Sequence, residues 1–193
     1  QNYNLLKNKI QSRLKDFKNL SEEEQFKEFM FCLLTPQSNA QKCWQAVEEI
    51  SKLKQLNEKN VFDTSRFAVY QKQILGAQEP KHAPDLSKKV LDILKTRTRF
   101  HITKTKRILE AKNNWEKIKS QLNNKNVKEL RQFIAETVNG YGLKEASHFL
   151  RNIGLSNNKI AILDRHILGN LLSLDLIKEK KIKNSKNYFE IEN

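Results

Sequence analysis

The chain has 193 residues, 38% of them hydrophobic, and a net charge of +14 (36 Lys and Arg against 22 Asp and Glu), a length that suits one compact domain or two small helical subdomains with a cleft between them. No run of 18 apolar residues occurs, which excludes a membrane-spanning helix, and the opening QNYNLLKNKI lacks the apolar centre of a secretion signal. Two cysteines, Cys32 and Cys43, are too few for a disulfide framework or a Cys-rich zinc site and fit a reducing compartment.

Glycine (5) and proline (3) are scarce, and apolar residues recur at three- and four-residue spacing almost throughout, which predicts an all-α chain of nine or ten helices. Leu5, Leu6, Ile10 and Leu14 form the first stripe. The capping-box pattern Ser21-Glu22-Glu23-Glu24 opens the next, with Phe26, Phe29, Met30 and Leu33. Thr35-Pro36-Gln37-Ser38-Asn39 ends that helix and starts another, with Ser38 or Asn39 as its N-cap, and Trp44, Val47 and Ile50 follow. Phe67 to Tyr70 is the only strand-like stretch, too short to found a sheet. Gly76 to Pro84 holds two of the three prolines and reads as a long loop. Val90, Ile93 and Leu94 resume the helical pattern. These stripes read as core faces rather than ligand sites. No internal repeat or low-complexity linker interrupts them.

The basic excess has two sources to separate. Lysine outnumbers arginine 28 to 8 and asparagine reaches 20 residues, a bias that A/T-rich codons produce on a solvated surface. Basicity also favours an anionic partner, nucleic acid first. Lys81 to Lys112 concentrates ten Lys and Arg against three Asp and Glu, which suits a wet helix surface or a nucleic-acid face equally.

The informative stretch is VNGYGLKEASHFLRNIG, Val138 to Gly154, within a hairpin spanning 128–154. One helical pattern runs through Leu130, Phe133, Ile134 and Val138; a second continues through Ala146, Phe149, Leu150 and Ile153, and Ser156-Asn157-Asn158 is a loop. Between the two patterns, the Asn139 to Leu143 turn contains Gly140 and Gly142, which allow a sharp reversal. That reversal leaves the N–H groups of Gly142 to Lys144 open at a helix start, where the dipole favours a phosphate oxygen. Such a helix-hairpin-helix grips a DNA backbone without reading its sequence; a plain αα-turn is the alternative. Lys144 opens the second helix, where an amine partly desolvated in a cleft can act as a nucleophile, or else simply pairs with phosphate. Twenty residues on, Ala161-Ile162-Leu163 delivers Asp164 to the first turn of a new helix. There a carboxylate caps, and it can cap through one oxygen while presenting the other.

The strings GYGLKEASHFLRN and AILDRHIL resemble the helix-hairpin-helix DNA glycosylase superfamily, and most closely its archaeal-type 8-oxoguanine DNA glycosylase/AP lyase family. Phe31 to Val47, FCLLTPQSNAQKCWQAV, is similar to that family's helix–turn–helix beside the lesion. The resemblance implies an enzyme that flips a damaged purine out of double-stranded DNA into a cleft between two helical subdomains. Lys144 would attack C1′, displace the base and form a Schiff base, and β-elimination would cut the strand. Asp164 would help to deprotonate Lys144 and stabilise positive charge on the sugar. Gly140, Gly142 and Lys144 would hold the phosphate, with a monovalent cation on the backbone carbonyls of Val138 and Tyr141. Gln37 or Asn39 would fill the gap left by the flipped base, and Phe100, beside Arg99, is a pocket candidate.

Other readings of the same residues are a glycosylase for another damaged purine, a non-catalytic helix-hairpin-helix module, or a basic RNA-associated protein. Lys144 weighs against a monofunctional enzyme, and Asp164 and the polar TPQSN turn weigh against a pure clamp. His148 and His166 lack the carboxylate or Cys partners of a metal site and read as local hydrogen-bonding residues. The four-cysteine iron–sulfur cluster of the endonuclease III relatives does not fit two cysteines. The expectation is a monomer without cofactor, cytoplasmic and nucleoid-associated, with no membrane partner. The family continues past a segment like Tyr188-Phe189-Glu190-Ile191-Glu192-Asn193 into a last helix that contributes to recognition of the oxidised base. A chain without an initial methionine that stops there is expected to be a fragment, with the catalytic pair but without that recognition helix.

Overall fold

Apolar spacing of three and four residues becomes helix wherever a computed structural model of the chain describes it, at residues 6–8, 11–12, 15, 17, 19–53 and 85–193. Among these residues eight helices have both ends defined: α1 (Glu22–Leu34), α2 (Ala40–Ser51), α3 (Asp85–Lys95), α4 (His101–Lys119), α5 (Val127–Thr137), α6 (Leu143–Asn152), α7 (Arg165–Ser173) and α8 (Ser185–Glu192). No strand occurs among them, and none of their helices is long and apolar enough to cross a membrane. The expectations for Leu5, Ile10 and Leu14, for Phe67 to Tyr70, for the Gly76 to Pro84 loop and for the start of the basic segment lie outside the described residues.

Local chemistry sets the helix ends. Ser21 and Glu24 form the reciprocal capping box, with Ser21 N–H donating to Glu24 Oε2 at 2.7 Å and Glu24 N–H to Ser21 Oγ at 3.3 Å. Helix α1 stops one residue short of Thr35, because proline at 36 disfavours helical backbone in the residue before it. Of the two cap candidates for α2, Asn39 is the cap: its Oδ1 accepts from Lys42 N–H at 3.0 Å. Ser38 has a different task, described below.

The chain divides into two compact units. One comprises residues 26–122 and 138–140. Its core is the face predicted from spacing: Phe29, Met30, Leu33, Val47, Ile50, Val90, Ile93 and Leu94 are buried, with Ile108, Leu109 and Ile118 from α4. Each such side chain contributes roughly 1.5–3 kcal/mol on leaving water. Trp115 packs on Phe26 and Phe29, with centroids 5.3 and 5.4 Å away. In the same unit Lys104 is buried with no carboxylate partner among the described residues. Its ammonium donates to Leu34 O at 2.7 Å, Pro36 O at 2.9 Å and Ser38 Oγ at 2.8 Å. Burial pushes its pKa down, with Arg107 and Arg99 acting in the same sense against Cys43.

The other unit comprises residues 1–25, 123–137 and 141–193. Leu130 and Ile134 of α5 and Ala146, Phe149 and Leu150 of α6 form buried faces, again as the spacing predicts. Leu143, Leu163, Leu168 and Tyr188 make a second cluster where α6, α7 and α8 meet. Arg131 is fully buried beside it, bidentate to Glu192 and lying 5.4 and 5.3 Å from the ring centroids of Tyr188 and Phe189. Breaking such a pair from one side typically costs about 3–5 kcal/mol, because it strands the other charge in the interior. The segment that the sequence suggests as the lead-in to a last helix, Tyr188 to Asn193, is thus largely helix itself, since α8 covers Ser185–Glu192.

Candidate active site

Helix α5 ends at Thr137, the chain reverses through residues 138–142, and α6 starts at Leu143, so the glycine-centred hairpin of the sequence is a helix-hairpin-helix. Gly140 has φ +97°, and a Cβ there would lie 2.5 Å from Cδ and Nε of Arg107. The positive φ therefore favours glycine at 140, and any larger residue would also have to displace the end of the Arg107 side chain. Gly142 is the N-cap of α6 in extended backbone, φ −110°. Its N–H is not open as expected: Glu145, three residues into the helix, turns back and accepts it on Oε2 at 3.2 Å. This is the Glu half of a capping box, and the correction follows from the residue type at that spacing. The open donors at this helix start are the N–H groups of Leu143 and Lys144, which meet no acceptor among the described residues.

Lys144 projects from the first turn of α6, partly buried, with Nζ 2.9 Å from Glu145 Oε1. Its partner in an ion pair is therefore Glu145 and not Asp164. Glu145 thus bridges the hairpin cap and the lysine through its two oxygens. One turn further along α6, His148 is pushed down to about 4, first by burial and then by the charges of Arg151 and Lys144, so it is neutral at neutral pH.

Asp164 caps α7, and both cap bonds end on one oxygen. Oδ1 accepts His166 N–H and Ile167 N–H, each at 2.9 Å, which leaves Oδ2 outside the cap. Partial burial raises the carboxyl's pKa, but the two N–H donors and the charges of His166 and Lys144 outweigh it and hold the group below the usual carboxylate range. Lys144 and Asp164 thus interact electrostatically within one unit of the chain without a direct ion pair. His166 is locally engaged, its Nε2 accepting from Arg165 Nε at 3.2 Å. No group of three His, Cys, Asp or Glu side chains among the described residues forms a metal site.

The lesion-side candidates lie in the other unit. Gln37 sits in the turn between α1 and α2 at φ +54°, exposed, and Phe100 precedes α4 at φ +56°, 54% exposed, with the Arg99 guanidinium 5.4 Å from its ring centroid. Ser38 ties the two turns together: its hydroxyl accepts Arg99 N–H at 3.0 Å and Lys104 Nζ at 2.8 Å. Asn39 is committed to its cap through Oδ1. Sequence reasoning missed Lys104, Glu145 and Arg131. Of these only Glu145 carried a signal, its capping spacing from Gly142.

The family model described as 8-oxoguanine DNA glycosylase matches residues 10–72 and 72–193. The 8-oxoguanine DNA glycosylase/AP lyase of Fusobacterium nucleatum is 34% identical over 201 residues, covering 98% of this chain and 80% of the relative; that of Methanocaldococcus jannaschii is 32% identical, covering 93% and 73%. Among solved structures, the M. jannaschii 8-oxoguanine glycosylase/lyase in complex with a 15mer DNA containing 8-oxoguanine matches with a TM-score of 0.70 at 27% identity, covering 96% of this chain and 78% of that one. The 8-oxoguanine DNA glycosylase of Thermotoga maritima matches with a TM-score of 0.72 at 26% identity, covering 98% and 79%. With this hairpin, an all-helical fold and matches along nearly its whole length, the chain belongs to the 8-oxoguanine DNA glycosylase family.

Proposed function

We propose that this chain is a DNA glycosylase with AP lyase activity, one that removes 8-oxoguanine from double-stranded DNA in base excision repair and cuts the strand at the resulting abasic sugar. Residues 1–193 act as one helix-hairpin-helix glycosylase domain, as a monomer working inside the cell on nucleoid DNA. Lys144 is the nucleophile. Its amine bonds to C1′ as the N-glycosidic bond breaks, and the base leaves with the bonding pair and takes up a proton. Ring opening gives a Schiff base on Nζ; loss of a C2′ proton and cleavage of the C3′–O bond complete β-elimination.

The observation that carries this reading is the division of labour on Asp164. One oxygen caps α7 and the other is left outside the cap, in a carboxylate that feels the charge of Lys144. A carboxylate held below its usual range is a weak base, so its main contribution is to stabilise positive charge developing on the sugar, with proton uptake from Lys144 secondary. The ion pair between Lys144 and Glu145 has to open before Nζ attacks. The N–H groups of Leu143 and Lys144 hold a phosphate oxygen beside the lesion, on the turn shaped by Gly140 and Gly142. The left-handed Gly140 lies between the carbonyls of Val138 and Tyr141. Backbone oxygens of that kind suit a monovalent cation, which would add positive charge next to the phosphate. Gln37 fills the gap in the duplex, with Asn39 limited to what its cap leaves free, and Phe100 offers an aromatic face to a base.

Borohydride trapping tests the reading on a duplex with a single 8-oxoguanine and on a plain abasic duplex. Covalent capture on both, lost in Lys144→Gln, is the expected result. Capture on the abasic duplex alone would overturn 8-oxoguanine as the substrate, and capture that survives Lys144→Gln would overturn the nucleophile.

A further inference from the structure

The backbone leading into Asp164 is held by α8 to a degree that a helix cap does not need. Tyr188 is buried, and its hydroxyl engages two main-chain groups of that stretch: it donates to Ala161 O at 2.7 Å and accepts Leu163 N–H at 3.3 Å. Glu192 Oε1 accepts Ala161 N–H at 2.7 Å, and Asp164 N–H donates to Ile162 O at 2.9 Å. Every residue from 161 to 164 thus has at least one main-chain polar group engaged. The same side chains reach the helix that carries Lys144. Arg131, bidentate to Glu192, also donates to Ser147 Oγ at 3.3 Å, and Ser147 is buried three residues after Lys144 on the same helix.

We propose that Tyr188 and Glu192, anchored by Arg131 and Ser147, are positioning residues that fix Asp164 relative to Lys144. The inference rests on the reading of Asp164 as the carboxylate that stabilises the reacting sugar. Packing alone would be served by the tyrosine ring, which sits in the Leu143, Leu163 and Leu168 cluster. The hydroxyl adds nothing to that cluster. It sets the path of residues 161 to 163, and so the point from which the Asp164 side chain starts. Burial pushes the phenol up, which keeps it protonated and able to donate at neutral pH. Carboxylate placement matters steeply in such a site, because stabilisation of a developing charge depends on a fixed distance and needs no reorganisation when the reaction occurs.

Tyr188→Phe removes only the hydroxyl and keeps the ring, so the variant folds with its core intact. The experiment is a double-mutant cycle with Asp164→Asn, read as the single-turnover rate of 8-oxoguanine excision together with the affinity for the same duplex. Alone, Tyr188→Phe is expected to slow excision about tenfold while affinity stays within about twofold. In the Asp164→Asn background it is expected to slow excision no further. A rate for Tyr188→Phe within about twofold of the parent, or an equal loss in both backgrounds, would overturn the positioning role while leaving Asp164 in place. An Asp164→Asn variant that excises at the parental rate would overturn the reading of Asp164 and the proposal with it. Glu192→Gln, which keeps an acceptor for Ala161 N–H but discharges the pair with Arg131, should fall between Tyr188→Phe and the parent; parental stability with a tenfold slower rate would instead make Glu192 the dominant anchor within the same device.

Discussion

Two glycines separated by one residue do different things in the hairpin, and substitution distinguishes them. At Gly140 a methyl group meets both a left-handed backbone and Cδ and Nε of Arg107 at 2.5 Å, so Gly140→Ala is expected to destabilise by about 1–3 kcal/mol. At Gly142 the backbone is extended and the nearest atom to an added methyl is Glu145 Oε2 at 3.2 Å, so Gly142→Ala is expected to cost under about 1 kcal/mol. Chemical denaturation of both variants checks the order, and equal losses would show that the turn does not rely on the conformation of Gly140. Gly142, like the Ser21–Glu24 box and the Asn39 and Asp164 caps, is legible in the sequence because its partner lies within four residues, whereas the Arg107 side chain beside Gly140 comes from 33 residues upstream. Lys104 is not legible. The acceptors that make its burial tolerable lie 66 to 70 residues upstream, and a lysine in a basic segment otherwise reads as surface.

At the scale of an element, α6 is readable as an amphipathic helix from Ala146, Phe149 and Leu150, but its electrostatics are not. Burial of His148, and then the charges of Arg151 and Lys144 that the helix places near it, make the protonated imidazole unfavourable there. Its folded value of about 4 lies below its ordinary value of 6.5, so the stabilisation is fully present above 6.5 and is lost as pH falls towards 4. Acidification from about pH 7 to about pH 5 is therefore expected to remove about 1–2 kcal/mol through this residue, and His148→Gln to flatten that part of the stability profile. Urea titrations at the two pH values measure it, and an unchanged slope in the variant would assign the acid sensitivity to other groups. Helix α8 shows the opposite limit of sequence reading. The pattern of Tyr188 to Asn193 is recognisable as a segment, yet its partners Arg131, Ala161 and Leu163 lie 25 to 61 residues away, and only the folded chain shows what the tyrosine and glutamate hold.

Across the whole molecule the net charge of +14 has to be apportioned between coding bias and DNA recognition. The site asks for few phosphates: one at the Leu143 and Lys144 N–H groups and a small number around it. Were every excess positive charge to displace a counterion, log affinity would fall with log salt at a slope of about −13, whereas about four neutralised phosphates give a slope of about −4. The dominance of lysine over arginine and the abundance of asparagine favour the second figure, because a composition drifting on the surface is spread over all faces rather than gathered on one. Anisotropy titrations of a lesion-bearing duplex against salt, with the parent chain and with Lys144→Gln, decide between them. The expected parent slope is about −3 to −5, made shallower by about one at most in the variant. A slope steeper than about −8 would mean that the basic surface as a whole engages DNA, and recognition would then have to be sought well beyond the hairpin.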